Sequence, residues 1–274
     1  MRILLKIGGA TLERPEARAQ LACAVSAGVA QGHELIVAHG GGNQIRALSR
    51  RLGIADRYVE GLRVTDAETA EVVLATLCGT VGKTLVAALA GAGVPAVGLS
   101  GADGRVFEVR RHPAADLGYV GVVSGVRTSL LETLLATGYL PVVACVGPLA
   151  AGAPGPRDHL YNVNADDVAV ALAGALAVDA LLFLTDVPAV LDGAGGRIAT
   201  MDPVGAAALE ADGVLSGGML PKVRAGLSAA AALDGALVKI APADGPDAVV
   251  SALEEGVGTS FESTRTAAGT PNDG

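Results

Sequence analysis

Two lysines stand beside glycine pairs. Lys6 opens Lys6-Ile7-Gly8-Gly9, and Lys222 follows shortly after Gly217-Gly218. Lysine is scarce in this chain: of 20 basic residues, only Lys6, Lys83, Lys222 and Lys239 are not arginine. A glycine pair lets the backbone turn sharply and leaves amide N–H groups open to an anion. An adjacent ammonium adds a full positive charge, so the chemistry these residues suit is phosphate binding. A third turn, Gly40-Gly41-Gly42, follows an apolar run and precedes a helical pattern. That geometry holds a phosphate or a carboxylate on backbone N–H groups, although a triple glycine also serves as a plain tight turn.

Phosphoryl transfer needs positioning and charge neutralisation, supplied by lysines, backbone amides and a metal ion. A carboxylate acceptor, with a reference pKa near ~4.3, is ionised at neutral pH and needs no general base. Other machinery is missing from the sequence. The nearest approach to a Walker A loop, Gly82-Lys83-Thr84, has Leu77 where the first glycine is required and lies in a helical stretch. No Gly-x-Gly-x-x-Gly turn follows a strand, which argues against a dinucleotide-dependent oxidoreductase. There is no Gly-x-Ser-x-Gly elbow, and the four histidines are scattered without metal-ligand spacing.

The elements that must position these residues alternate. Residues 3–7, 35–38, 96–99, 141–146, 180–185 and 236–240 read as buried strands. Residues 15–31, 43–52, 66–91, 127–137, 164–177, 219–233 and 245–255 read as helices. This is the signature of an α/β protein with a mainly parallel sheet, whose ligands collect at the carboxyl ends of the strands. The loops at Gly8-Gly9, Gly40–Gly42, Ser100-Gly101 and Thr185-Asp186 are therefore expected on one edge of the sheet. Residues 59–64, 105–110 and 117–123 read as hairpin strands that close over a site. Asn164 is expected to cap a helix with Asp166 in its first turn.

Composition narrows the partners. The chain has 274 residues, is 51% hydrophobic and only 3% aromatic, without Trp, so its core is expected from Ala, Val and Leu. A net charge of −8 with no basic run argues against nucleic acid. Cys23, Cys78 and Cys145 read as buried, reduced thiols. No signal peptide and no run of ~20 uninterrupted apolar residues is evident, so a cytoplasmic protein with no membrane partner is expected.

In order along the chain, Lys6–Gly9, His39–Asn43, Gly61–Asp66, Gly98–Gly104, Asp116–Gly121, Tyr161–Asp166, Leu184–Pro188 and Gly213–Lys222 resemble the amino-acid kinase family. The likeness covers roughly residues 2–261. It is strongest to the branch that phosphorylates N-acetyl-L-glutamate, of which Gly61–Asp66 and Asn162–Asp166 are the more specific motifs.

The resemblance implies a three-layer sandwich around the sheet, in two lobes. Residues 1–176 would bind the amino-acid substrate and dimerise, residues 177–261 would bind ATP, and residues 262–274 would form a disordered tail. Lys6 and Lys222 would stabilise the transferring phosphoryl group, with Asp166 holding both. Gly41, Gly42, Arg63 and Asn162 would bind N-acetyl-L-glutamate, Arg63 as a fork on a carboxylate. Gly8, Gly9, Thr185, Asp186, Val187, Gly217 and Gly218 would line the ATP site, with Mg2+ on the nucleotide and no dedicated metal ligands. Read alone, Arg63 also suits a surface hairpin and Asp166 a helix N-terminal charge. The family usually has Asn where this chain has Gly82, and Lys239 has no counterpart. Arginine-inhibited members carry an extra N-terminal helix that this sequence lacks, so an arginine-insensitive homodimer is expected. The rivals are a kinase of carrier-linked aminoadipate or glutamate, docking through Arg46, Arg50, Arg51 and Arg57, and a non-catalytic sensor.

Overall fold

The computed structural model describes residues 1–216 and 218–263. Gly217, and the expected tail from residue 264 onward, lie outside the described residues. In chain order the elements are β1 (Arg2–Ile7), α1 (Pro15–Ala30), β2 (Glu34–His39), α2 (Gly42–Leu52), β3 (Tyr58–Val59), β4 (Leu62–Arg63) and α3 (Ala67–Leu74). A π-helical turn (Ala75–Val81) joins α3 to α4 (Gly82–Gly91). Next come β5 (Ala96–Ser100), β6 (Phe107–Arg111), β7 (Val120–Val126), α5 (Ser129–Ala136), β8 (Leu140–Ala144), β9 (Val146–Gly147), β10 (Tyr161–Val163) and α6 (Ala165–Ala175). The chain continues with β11 (Ala180–Thr185), β12 (Thr200–Met201), α7 (Pro203–Ala211), α8 (Met219–Ala232), β13 (Leu237–Pro242), α9 (Ala248–Ser251) and β14 (Thr259–Phe261).

The central sheet has the order β12-β14-β13-β11-β1-β2-β8-β5. It is parallel from β13 to β5, and β14 joins antiparallel to β13. This is the mainly parallel sheet expected from the alternation. Because side chains alternate along a strand, the sheet has two apolar faces. Ile3, Leu5, Ile7, Leu35 and Val37 pack with Leu21 and Val25 of α1, Leu85 and Leu89 of α4, and Val249 of α9. Leu4, Ile36 and Ala38 pack on the opposite face, with Val168 and Leu172 of α6 and Val223 of α8. A smaller sheet, β6-β7-β10-β9, flanks the carboxyl end. Its hairpin and the short β3–β4 hairpin are those expected from sequence.

Two details differ from expectation. The helix expected over residues 245–255 is only Ala248–Ser251. Beyond it the Glu254 carbonyl accepts from the buried Lys239 Nζ, which gives that lysine a structural partner. Of the cysteines, Cys145 is buried, Cys78 is half-buried and Cys23 is exposed on the outer side of α1. The continuous helix over residues 67–91 is long and apolar enough to cross a membrane by length and composition. It nevertheless packs on the sheet through Leu85 and Leu89.

Candidate active site

Strand parity places the first lysine. Lys6 shares the face of Leu4, the face covered by α6, so its side chain meets the first turn of that helix. Lys6 Nζ lies 2.6 Å from Asp166 Oδ1, with both side chains largely buried. Asn164 caps α6 by accepting the Asp166 N–H at 2.7 Å, which fixes the carboxylate's turn. Burial, and then the charge of Asp166, push the neighbouring Asp167 carboxyl above its usual range.

Lys222 comes from the other half of the chain, in the first turn of α8, which begins after Gly218. Its ion pair is with Asp186 Oδ1, at 3.9 Å, rather than with Asp166. The expectation that Asp166 holds both lysines is therefore not met in this arrangement. Asp186 follows the end of β11, beside the start of α8, and takes Lys222 as its partner. A hydrogen bond from the Thr185 hydroxyl, at 2.9 Å, is the main reason the Asp186 carboxyl sits low, with Lys222 adding to it. Lys6, Gly8, Gly9, Thr185, Asp186 and Lys222 line one cavity of about 150 Å³. That volume suits the phosphate end of a nucleotide and falls short of the ~300 Å³ at which whole-ligand pockets begin. Val187 and Gly218 are not part of its lining.

A second cavity, of about 280 Å³, is lined by Gly41, Gly42, Arg63 and Asn162, with Cys145 in its wall. Gly41 is forced by close approach: a Cβ there would stand 2.7 Å from Leu77 Cδ2 and 3.2 Å from Val81 Cγ2. Both residues belong to the π-helical turn. Gly82 permits that turn, since its own Cβ would meet the Leu77 carbonyl at 2.7 Å. Arg63 is buried. Its guanidinium donates from Nη1 to Asp56 and from Nη2 to the Gly42 carbonyl at 3.1 Å, and lies 4.9 Å from the Tyr58 ring centre. Burial, and then the charge of Arg46, pull its pKa down to about 10, which leaves it charged at neutral pH. Asn162 Nδ2 donates to Thr65 Oγ1 at 3.3 Å.

Beneath the glycine turn, the His39 Nδ1 edge meets the Gly40 carbonyl at 3.1 Å, and Nε2 has no hydrogen-bond partner among the described residues. Complete burial lowers the His39 pKa. The Cys145 thiol donates to the His39 carbonyl at 3.1 Å, and burial pushes its pKa up, so it is an inert wall residue.

The glycine turns that line the two cavities touch. A Cβ on Gly9 would lie 3.1 Å from Gly41 Cα and from Gly42 N. Gln44 Nε2 also donates to the Gly9 carbonyl at 2.8 Å, tying the two glycine turns together. Sequence reasoning missed Gln44, Asp56 and Tyr58, because each acts through a tertiary partner. Of the basic group read as a docking surface, Arg46 pairs with Asp56 at 3.7 Å and Arg57 with Asp66 at 3.3 Å.

Residues 1–239 match the amino acid kinase family. A protein from Koribacter versatilis named acetylglutamate kinase is 42% identical over 255 residues, covering 93% of this chain and 95% of that protein. One of the same name from Solibacter usitatus is 41% identical over 261 residues, covering 94% and 98%. Among solved structures, smu.665 from Streptococcus mutans superposes with a TM-score of 0.79 at 26% identity, covering 95% and 98% of the two chains.

Proposed function

The chain belongs to the amino acid kinase family and phosphorylates the side-chain carboxylate of N-acetyl-L-glutamate from ATP, a step of arginine biosynthesis, and we propose how its residues divide that work. The single observation that carries the assignment of roles is the contact between the two glycine turns. An acceptor carboxylate in the Gly41–Arg63 cavity and a phosphate in the Lys6–Lys222 cavity would be neighbours across it.

Arg63 binds the substrate's α-carboxylate as a charged fork, and Asn162 takes a polar group of the same molecule. The Gly41 and Gly42 amides hold the reacting carboxylate. On the nucleotide side the Gly8 and Gly9 amides wrap phosphate, with Thr185, Asp186, Val187 and the Gly217-Gly218 turn as the surrounding shell. Lys6 and Lys222 approach the transferring group from opposite sides, where their charge counts most as negative charge spreads over the equatorial oxygens. Asp166 keeps Lys6 extended toward that point. The acceptor arrives ionised, so no residue has to remove a proton.

Mg2+ would neutralise nucleotide phosphate charge. Among the described residues no three His, Cys, Asp or Glu side chains cluster to cage a metal. An ion held mainly by phosphates and water, with Asp186 the carboxylate in that cavity, fits this donor set.

Residues 1–176 thus serve as the acceptor lobe and residues 177–261 as the nucleotide lobe. A homodimer is supported by the edge position of β5, whose residues Ala96–Leu99 stay half-exposed, beside a helix over 67–91 that exposes Leu74. Dependence on ATP suits a cytoplasmic setting.

Hydroxylamine trapping of the acyl phosphate tests the reading. The expected product forms with N-acetyl-L-glutamate and not with glutamate, aspartate or carrier-linked aminoadipate. Product only with the carrier-linked acceptor would transfer the assignment to that class, and none with any acceptor would leave a binding protein.

A further inference from the structure

Arg63 is a buried cation with a second cation beside it. Arg46 is close enough to lower the Arg63 pKa, and both guanidiniums face the Tyr58 ring, at 4.9 and 5.9 Å. Two adjacent guanidiniums repel, and burial of one raises the cost of its charge. The carboxylate set against both is Asp56. One of its oxygens accepts from Arg63 Nη1, and the other lies 3.7 Å from Arg46 Nε. Asp56 thus faces both guanidiniums, while the neighbouring Arg57 turns to Asp66.

The local chain explains why Asp56 is there. α2 ends at Gly53, in the left-handed conformation, and the chain then runs toward β3. The Val64 N–H bonds the Arg57 carbonyl at 2.9 Å, which extends the β3–β4 ladder past Tyr58 and Arg63. Asp56 therefore lies next to the end of a ladder that contains Arg63. The arginine is held at three points: Asp56 on Nη1, the Gly42 carbonyl on Nη2, and the Tyr58 ring against its face. A guanidinium has five N–H donors. With two committed to protein acceptors, the rest remain for a ligand carboxylate in the cavity that Arg63 lines.

We propose that Asp56 is a positioning residue for substrate recognition, holding Arg63 aimed into the acceptor cavity so that it meets the substrate's α-carboxylate already ordered. This rests on the reading of that cavity as the N-acetyl-L-glutamate site. Asp56 does not touch the reacting atoms. Its contribution is to ground-state binding, so it acts on KM for the acceptor and not on kcat or on KM for ATP.

The experiment is a substrate-by-mutation cycle. Asp56→Asn keeps the shape of the side chain and removes its charge. The acceptors are N-acetyl-L-glutamate and its α-amide, which keeps the reacting side-chain carboxylate and lacks the group Arg63 would read. For D56N the KM for N-acetyl-L-glutamate should rise about tenfold, the scale of coupling between groups in contact, with kcat and KM for ATP within about twofold. For the α-amide, wild type and D56N should be alike, and Asp56→Glu should recover most of the loss with the natural substrate. If D56N does not accumulate as folded protein, Asp56→Ser carries the same comparison. An unchanged KM overturns the proposal. So does a lowered KM, which would make Asp56 a competitor of the substrate, and so does an equal loss with the α-amide, which would make it merely structural. Absence of any wild-type acyl phosphate from N-acetyl-L-glutamate would instead bring down the substrate reading itself, and this role with it.

Discussion

The acceptor and phosphate cavities share a wall of glycine backbone, yet they are built in opposite ways. In the acceptor cavity the charged group is locked before any ligand arrives, with Arg63 held by Asp56, Gly42 and Tyr58. Three of those four residues lie within residues 56–63. In the phosphate cavity the cations come from positions 6 and 222, and only one is fixed tightly. Lys6 lies 2.6 Å from Asp166, whereas Lys222 is 3.9 Å from Asp186 and more exposed. The contrast matches the roles proposed for the two sides. A carboxylate that stays put is best met by a preorganised fork, since ordering a side chain on binding costs affinity. A phosphoryl group that changes partners is served by a lysine free to follow it.

Breaking each side should therefore give different kinetics. On the phosphate side, Lys222→Ala should lower kcat by about 10²–10³-fold with little change in KM for ATP, because its charge is used mainly in the transition state. Steady-state assays with ATP varied at saturating acceptor check this, and an effect confined to KM would remove Lys222 from catalysis. On the acceptor side, Arg63→Lys should raise KM for N-acetyl-L-glutamate by roughly 10–100-fold with a smaller effect on kcat, because a point charge cannot reproduce the fork or the stack on Tyr58. Equal losses in the two variants would end the contrast. Smaller again is Gly41→Ala. Its φ of 179° suits any residue, so the cost is steric and falls on the Cδ2 end of the buried Leu77 side chain. About 1–3 kcal/mol of strain should appear as a lower melting temperature, together with a raised KM for the acceptor.

The same contrast explains what was legible in the sequence. Strand and helix alternation is a local signal, and it led to the parallel sheet and to glycine turns at its carboxyl edge. Lys6, Arg63 and Asn162 sit in compact motifs, and the fold sets Lys6 in one cavity and Arg63 and Asn162 in the other. Asp56 lies in a short connection with no pattern of its own, and its role exists only because the β3–β4 ladder brings it to Arg63. Gln44 is an ordinary polar residue near a helix start until Gly9 arrives from β1. The partner of Lys222 depended on where α8 enters relative to β11, which spacing does not encode. α7 is a different case: Asp202 caps it by accepting the Gly205 N–H, and Pro203 stands at its first position. That signal was present in the sequence and went unused.

The smallest effect sharpens the comparison from below the glycine turn. His39 contacts the Gly40 carbonyl below the cavity proposed for the acceptor, and it is fully buried with Nε2 unpartnered among the described residues. Its folded-state pKa lies below the usual 6.5, with burial as the cause. The unfolded chain therefore takes up a proton on this ring at a pH where the folded chain does not. Stability is fully present above about pH 6.5, and it falls as pH drops from there toward the folded pKa. The slope from one proton approaches about 1.4 kcal/mol per pH unit. His39→Gln has no ring to protonate, so it should lower stability at pH 8 and show a shallower fall between pH 6.5 and 5 than the wild type. Urea unfolding at a series of pH values measures both slopes. Parallel curves would mean that His39 takes up its proton inside the folded protein, so that the prop beneath the acceptor turn is a charged one.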